Sequence, residues 1–348
     1  MVESDMMAQI TSPTLNIAIL IPETPVMSGV TAFLDLFRHA NTYAERTGHA
    51  GVPTVEPRLY SARGGWVSVL GVGVESSPIA AMDVAQVDAL VITAPLILDG
   101  RDLHRELAAF GAFDGQIKAL ADRGVPIAAC CAGTLLMAAT GLLDSRKATT
   151  AWWLAPLFEQ HFPAVTLSME SLVERDGPFF TAGASTASYS LGLALLEQLV
   201  DEHFALAMAK VFLIDPNRSS QRVFMDQVPL QPLHADPQVA DIMRWISNNL
   251  TADLALESLA ERFAMGKRTL IRRFKAALHD TPSSYIQKLR IDRAKRLLER
   301  TDLPLERILP ELGYEDVSSF RKLFIQHTSL TPKAYREKFR PGDRCCDH

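Results

Sequence analysis

Two groups of residues in this chain have the types and spacing to do chemistry. The first is Ala129-Cys130-Cys131-Ala132-Gly133, an apolar run that turns into a helix with a cysteine at the bend. A sharp strand-to-helix bend lifts its side chain out of a sheet and aims the helix N-terminus at it. Such a helix end lowers a thiol's pKa and cradles an anion. Taken alone, a Cys in an apolar run is more often a small core residue. The second group is basic: Lys267, Arg268, Thr269, Arg272 and Arg273, followed about fifty residues later by Ser318, Arg321 and Lys322. Arg bonds guanine O6 and N7 through two donors in a major groove, and Ser or Thr reads either strand or a phosphate. A helix rimmed this way both reads bases and neutralises phosphates.

The elements that position the basic residues form a repeat. Leu270, Phe274, Thr281, Pro282 and Tyr285 recur as Phe320, Phe324, Thr331, Pro332 and Tyr335, at an offset of 50 residues. In each copy two apolar residues four apart share one helix face and point to a core. Thr-Pro then opens the next helix, with Pro in the first turn, where its missing N–H costs nothing. A short apolar stripe precedes each copy: Leu256, Leu259, Ala260 and Phe263 before the turn Ala264-Met265-Gly266, and Leu305, Ile308 and Leu312 before Gly313-Tyr314. That is helix-turn-helix arithmetic. The reading places the first unit over 254–278, a connecting helix over 283–300 and the second unit over 304–328. Two such helices in successive major grooves must lie about 34 Å apart. The competing reading is a basic helical bundle, against which stands the duplication with both turns in place.

Residues 15–200 alternate short β-rich runs with helical ones. Leu15–Ile21, Val55–Ser61, Ala89–Thr93 and Val125–Cys130 read as strands, and Gly29–Ala40 and Asp102–Arg123 as helices. Val173–Ala182 reads as a hairpin turning at Asp176-Gly177, and Ser185–Leu199 as a closing helix. The expected fold is a flavodoxin-like, mostly parallel α/β sandwich, joined to an all-α part with two helix-turn-helix units. Ligands of such sheets bind at the carboxyl ends of the strands.

Composition agrees with that division. The 348 residues are 48% hydrophobic and 22% charged, which excludes a disordered chain, a collagen-like fibre and a coiled-coil rod. That length suits two or three domains. Net charge is −5, yet residues 236–340 hold 20 Lys+Arg against 14 Asp+Glu, while residues 1–235 hold 14 against 24. An acidic body with a basic tail expects only the tail to meet a polyanion. Pro216, Pro229, Pro232 and Pro237 mark a linker near 215–236. The expected domains are therefore a sensor over 14–205, a helix and linker over 206–235, and a DNA-binding domain over 236–340.

The longest apolar stretch, Val87–Leu98, is too short for a bilayer and no export signal opens the chain, so a cytoplasmic protein without membrane contact is expected. The four cysteines, as adjacent pairs Cys130-Cys131 and Cys345-Cys346, offer no disulfide framework. Cys345-Cys346-Asp347-His348 is too short for a zinc site. No metal and no cofactor is expected.

The tail resembles the AraC/XylS family of bacterial transcription regulators over about 100 residues. The likeness rests on Arg268-Thr269-Leu270-Ile271-Arg272-Arg273-Phe274, on Pro282-x-x-Tyr285 with Leu289-Arg290, and on Gly313-Tyr314-Glu315-Asp316 with Ser319-Phe320-Arg321-x-x-Phe324. The resemblance implies promoter DNA as partner, with both units in the major groove. Two positions depart from the pattern: Leu309 stands where the family usually has Ala, and Pro310 falls inside the expected support helix, which should start late or kink.

Residues 14–205 resemble the class I glutamine-amidotransferase-like superfamily, in its PfpI branch, and the whole chain is similar to GlxA-type regulators. The matching residues are Cys131-Ala132-Gly133-Thr134, Ala139-x-Gly141-Leu142-Leu143-Asp144, Arg146-x-Ala148-Thr149-Thr150-x-Trp152, Thr181-Ala182-Gly183 and Arg218-x-x-Gln221. Enzymes of that superfamily pair the elbow Cys with a His and an acidic residue. Here Ala132 follows Cys131, Ala151 stands where relatives carry His, and Gly29 falls at the acidic position. A thiol without base or orienter lacks the constellation for nucleophilic catalysis, so no catalytic residue is assigned. His161 is the candidate that could swing in.

A pocket without catalytic partners still binds. Its expected lining is Met27 and Ser28, Ala94 and Pro95, Cys131, Trp152, and Gly183-Ala184, with Trp152-Trp153 either an aromatic wall or core. The resemblance implies a small-molecule effector such as an amino acid or quaternary amine, a homodimer, and RNA polymerase as a further partner. The expected function is a ligand-controlled, sequence-specific transcription regulator. Its rivals are a Cys131-dependent hydrolase or amidotransferase and a redox sensor using Cys131.

Overall fold

The computed structural model describes residues 13–47, 52–225, 236–278, 280–314 and 316–340. The N-terminal stretch, Pro229 and Pro232, Glu315 and the Cys345–His348 end lie outside the described residues. The chain forms two compact units that part between Ser220 and Gln221.

In the first unit the strands are β1 (Thr14–Leu20), β2 (Thr54–Ser61), β3 (Gly65–Val69), β4 (Val72–Pro78), β5 (Ala89–Ile92), β6 (Ile127–Cys130), β7 (Lys147–Ala148), β8 (Thr166–Leu167), β9 (Val173–Asp176) and β10 (Phe179–Ala182). Eight of them make one sheet in the order β3-β4-β2-β1-β5-β6-β10-β9, and β7 and β8 pair separately. The six central strands run parallel, and the hairpins β3–β4 and β9–β10 close the two edges antiparallel. β5 and β6 are buried at every position, which is why Ala-Leu-Val-Ile and Ile-Ala-Ala-Cys read as continuous apolar runs without alternation.

Helices α1 (Met27–Thr47), α2 (Gly100–Phe110), α3 (Asp114–Asp122), α4 (Gly133–Ala139), α5 (Ala155–His161), α6 (Ala187–Leu199) and α7 (Glu202–Val211) complete the unit. The single helix expected over Asp102–Arg123 is two. A 3-10 turn at Gly111–Phe113 breaks it, so that Phe110 and Phe113 both reach the core, with ring centroids 5.0 Å apart. Strand order reverses beside β1: its chain successor β2 lies on one side and β5 on the other. In sheets of this kind the carboxyl ends of the strands beside the switch point, here β1 and β5, are where ligands bind.

The second unit is helical: α8 (Pro237–Asn248), α9 (Leu256–Arg262), α10 (Lys267–Leu278), α11 (Pro282–Arg300), α12 (Leu305–Ile308), α13 (Val317–Thr328) and α14 (Pro332–Phe339). It has two cores. Val239, Ile242, Ile246, Leu259, Leu270, Phe274 and Tyr285 make one, and Ile291, Ala294, Leu298, Ile308, Phe320, Phe324 and Tyr335 the other. Helix α11 serves both, with Tyr285 and Ile286 in the first and Ile291, Ala294 and Leu298 in the second.

The duplication is physical. Phe274 and Tyr285 meet at 6.0 Å between centroids, and Phe324 and Tyr335 at 5.4 Å. Thr281 Oγ1 caps α11 by accepting from the Ser284 amide at 3.2 Å, and Thr331 Oγ1 caps α14 from the Ala334 amide at 3.1 Å. Pro310 shortens its helix as expected of a residue without an N–H. The α-turn stops at Ile308 and continues as a 3-10 turn, Leu309–Leu312, with Pro310 in its first positions. Leu309 is buried.

Candidate functional site

The bend at Cys131 is real. Cys131 takes a left-handed conformation, φ 52°, directly after β6, and α4 begins two residues later. A non-glycine residue there costs on the order of 1–3 kcal/mol and persists only where the surroundings over-determine it. They do. The Cys131 amide donates to the carbonyls of Ala182 and Gly183 at 2.9 and 3.0 Å, and Thr150 Oγ1 donates to the Cys131 carbonyl at 2.8 Å. Gly133 is required because a Cβ there would stand 2.6 Å from the Ile92 carbonyl oxygen and 3.0 Å from that of Thr93.

These contacts bring several expected pocket residues to one end of the sheet. Ala94 and Pro95 follow β5, and the Ala94 carbonyl accepts from the Val26 amide at 2.8 Å, one residue before Met27 and Ser28 open α1. Gly183 and Ala184 follow β10 beside the elbow, and Trp152 lies two residues beyond Thr150. Of the two tryptophans, Trp153 packs on the core, and Trp152 stands edge-on to it at 5.5 Å.

The thiol itself is not activated. Burial pushes the Cys131 thiol up to about 12, the neighbouring Cys130 adds to the shift, and the Ala132 N–H only partly opposes it. This corrects the expectation that the helix end lowers its pKa: desolvation outweighs one turn of dipole. Cys130 is raised as well, first by burial, against a hydrogen bond to Ser188. A Cβ at Gly29 would lie 3.9 Å from Ser188 Oγ, so Gly29 faces the Cys130 side of the bend. His161 turns to its own helix, with Nδ1 donating to the Leu157 carbonyl at 2.9 Å, and its ring neighbour is His104 at 6.2 Å. Among the described residues no group of three His, Cys, Asp or Glu side chains is placed to hold a metal.

Sequence reading missed Glu106. This acid on α2 is only 1% exposed, and its Oε1 accepts from Thr24 Oγ1 at 2.5 Å, tying α2 to the loop after β1. Oε2 meets no partner. Glu106 follows His104 and Arg105 directly in the sequence, and one acid in that polar run carries no sign of burial.

In the second unit α10 and α13 carry the basic groups. Lys267, Arg268, Arg272, Ser318, Arg321 and Lys322 are exposed, while Thr269 and Arg273 are half-buried. Three of the cations engage protein acids: Lys267 meets Glu257, Arg321 lies 3.8 Å from Glu306, and Arg273 pairs with Asp236 at 3.3 Å and with Gln238. Exposed pairs of this kind are worth under about 1 kcal/mol and open readily to a phosphate. Arg273 is the exception in kind, since it fixes the start of α8 on α10. Asp316, another residue the sequence reading left unassigned, caps α13 by accepting from the Ser318 and Ser319 amides at 3.2 and 2.7 Å. Hydrogen bonds from the Ser319 side chain and backbone, and from Ser318, hold its carboxyl below the usual range.

Both turns hold a left-handed residue, Ala264 at φ 50° and Gly313 at φ 69°. In the first turn it is Ala264, not Gly266, that bends the chain.

Residues 75–198 match the DJ-1/PfpI family, and residues 259–338 match a helix-turn-helix domain. The chain joins a DJ-1/PfpI domain to a helix-turn-helix domain. Its relatives include the HTH-type transcriptional regulator CdhR of Pseudomonas aeruginosa, 30% identical over 223 residues that span 63% of this chain and 65% of that one. The HTH-type transcriptional regulator GbdR of the same species is 27% identical over 76% of this chain and 70% of its own. Among solved structures, DJ-1beta of Drosophila melanogaster aligns with 59% of this chain and 99% of its own, at TM-score 0.47 and 18% identity. The elbow thus lies in the DJ-1/PfpI domain, and α10 and α13 are the second helices of the two helix-turn-helix units. Among the described residues no helix is long and apolar enough to cross a membrane.

Proposed function

We propose that the protein is a sequence-specific, DNA-binding transcription regulator whose DJ-1/PfpI domain binds a small-molecule effector at the elbow. The observation that carries this reading is the pair α10 and α13. Each buries one aromatic or aliphatic stripe in its own core and turns a basic face outward. A helix in that arrangement enters a major groove with its outer side chains on base edges and phosphates. The pairing with a helix-turn-helix match, and with relatives named as regulators, supports it further.

In the N-terminal unit the thiol's high pKa, with no base or acid acting on it among the described residues, favours binding over turnover. A non-enzymatic sensor in the GlxA manner fits that chemistry. The effector acts only through a difference in affinity between two arrangements of the protein. A homodimer doubles the phosphate contacts and completes the proposal, with RNA polymerase as the downstream partner.

The test is binding-site selection on the purified full chain at moderate salt, with ligand discovery by thermal shift. A preferred duplex is expected. Equal affinity for all duplexes sinks the regulator reading, and turnover lost in Cys131→Ser would establish the enzyme instead.

A further inference from the structure

The offset of 50 residues that maps one helix-turn-helix repeat onto the other also shows where the two differ. Ile271 and Ile286 of the first repeat become Arg321 and Arg336 in the second, and Ser283 becomes Lys333. Ile286 is 5% exposed and packs in the core of the first repeat. Its counterpart Arg336 is half-buried and turns its guanidinium to backbone. Nε donates to the Leu298 carbonyl at 3.4 Å, and Nη2 donates to the Leu303 carbonyl.

Beside Arg336 lies a cavity of about 420 Å³ among α11, α12, α13 and α14. Leu298, Leu305 and Ile325 give it apolar walls. Among the described residues that line it, Arg321, Lys333 and Arg336 are cations and Glu306 is an acid. Glu306 is a weak partner, since its Oε1 lies 3.8 Å from Arg321 Nη2 and both side chains are more than half exposed. Lys333 is as loosely held, 3.9 Å from Glu337 on its own helix. Arg336 differs from both. Its two carbonyl bonds fix a cation in place before any ligand arrives, which removes an ordering cost from binding.

Cavities of roughly 300–1,000 Å³ with apolar walls and a few placed polar groups are those that take small molecules. An excess of cations over apolar walls selects an anion with an apolar body. A bare phosphate would leave Leu298, Leu305 and Ile325 uncovered, and a hydrocarbon would leave the cations without a partner.

We propose that this cavity binds a small carboxylate with an aromatic or aliphatic body, with Arg336 and Lys333 holding the carboxylate and Arg321 closing over it. The site lies wholly within the helix-turn-helix unit and is separate from the effector site at the elbow. Arg321 also belongs to the outward face of α13, so ligand and duplex compete for it. That consequence rests on the reading of α13 as a groove-reading helix, whereas the binding itself does not.

Calorimetric titration of the full chain without DNA measures the binding, with 1-naphthoate and octanoate as probes, and amide hydrogen exchange locates it. At least one probe should bind with a Kd below about 1 mM. Its carboxamide, the same shape without the charge, should bind at least tenfold more weakly, and acetate, the charge without the body, should not bind in that range. Bound probe should slow exchange across 305–308 and 321–336 and leave 131–139 unchanged. Arg336→Ile, which installs the residue of the first repeat, should weaken binding at least tenfold. Where that variant does not fold, Ile325→Trp, at a position 42% exposed, fills the cavity and should do the same. No binding by either probe, equal binding of the carboxamide, or undiminished binding in Ile325→Trp overturns the proposal. With a selected duplex at matched ionic strength, saturating probe should weaken DNA affinity at least threefold, and the duplex should weaken the probe by the same factor. Binding in the cavity with unaltered duplex affinity overturns the competition. Failure to select any duplex overturns the regulator reading and leaves the carboxylate site standing.

Discussion

The Arg290 guanidinium lies 5.1 Å above the Tyr314 ring while its Nη2 donates to the Leu250 carbonyl at 3.1 Å. One side chain from the connecting helix thereby reaches the end of α8 and the turn of the second unit. Gly313 belongs to the same knot, since a Cβ there would stand 2.9 Å from the Leu250 carbonyl oxygen and 2.7 Å from Arg290 Nη2.

Arg290→Ala should therefore loosen both helix-turn-helix units together. Losing a charged hydrogen bond and a cation–π contact costs about 1–3 kcal/mol. Urea unfolding should show that loss, and hydrogen exchange should speed up on both α9 and the turn at 312–314. A change confined to one unit would count against Arg290 as the tie.

The two neighbouring arginines of α10 should separate cleanly. Arg272 is exposed, whereas Arg273 is half-buried and held by Asp236 and Gln238. Arg272→Ala should lose about 1–3 kcal/mol at the selected site and relax preference at one base pair, with the unfolding midpoint unchanged. Arg273→Ala should lower the midpoint instead, by unfastening the start of α8. Arg321→Ala should behave as Arg272→Ala does, since its 3.8 Å pair with Glu306 is exposed on both sides. Equal losses on random and selected duplexes would reduce Arg272 to a phosphate contact.

Much of this was legible because burial imposes a period. The stripe at Leu270 and Phe274 repeats at Phe320 and Phe324, and all four are fully buried. The elbow was legible because Gly133 must lie against a neighbouring strand. The hairpin β3–β4 was not. Its turn residues Leu70 and Gly71 both take positive φ, 53° and 84°, yet Leu carries none of the Asn or Asp signal of such a turn. Helix α8 was hidden by the prolines before it, and the docking of Val223 was hidden because a stretch read as linker gives no periodic signal. The thiol's pKa was misjudged for a different reason. Sequence shows the helix end that stabilises a thiolate but not the depth of burial that opposes it.

His327 in α13 makes the second unit sensitive to acid. Burial lowers its pKa below 6.5, and the positive charges of Lys288, Lys295 and Arg222 lower it further, against a smaller opposing pull from Asp280. The unfolded chain therefore takes up this proton at higher pH than the native one does. The contribution is constant above pH 6.5 and is lost as pH falls toward the lowered native value, with a slope of at most about 1.4 kcal/mol per pH unit. Urea midpoints at pH 7.5 and 5.5 should diverge between wild type and His327→Gln, with the variant less affected by acid. A native His327 ring that titrates above 6.5 by NMR would reverse the sign and refute this account.

The elbow thiol should be inert in the native protein. With its pKa at about 12 against an ordinary 9.0, Cys131 holds about a thousandfold less thiolate than a free cysteine at pH 8. Only the thiolate attacks iodoacetamide or peroxide, so burial and protonation work in the same direction. Alkylation at Cys131, located by peptide mapping, should run at least a hundredfold slower in the folded chain than in urea, and Cys130 should follow it. The same shift carries a stability signature of opposite sense to that of His327. The folded state resists losing the proton, so stability is held below pH 9.0 and declines as pH rises toward 12. A Cys131 that reacts at the rate of an unfolded thiol at pH 8 would mean that the elbow opens to water, and would bring the redox-sensor reading back ahead of metabolite binding.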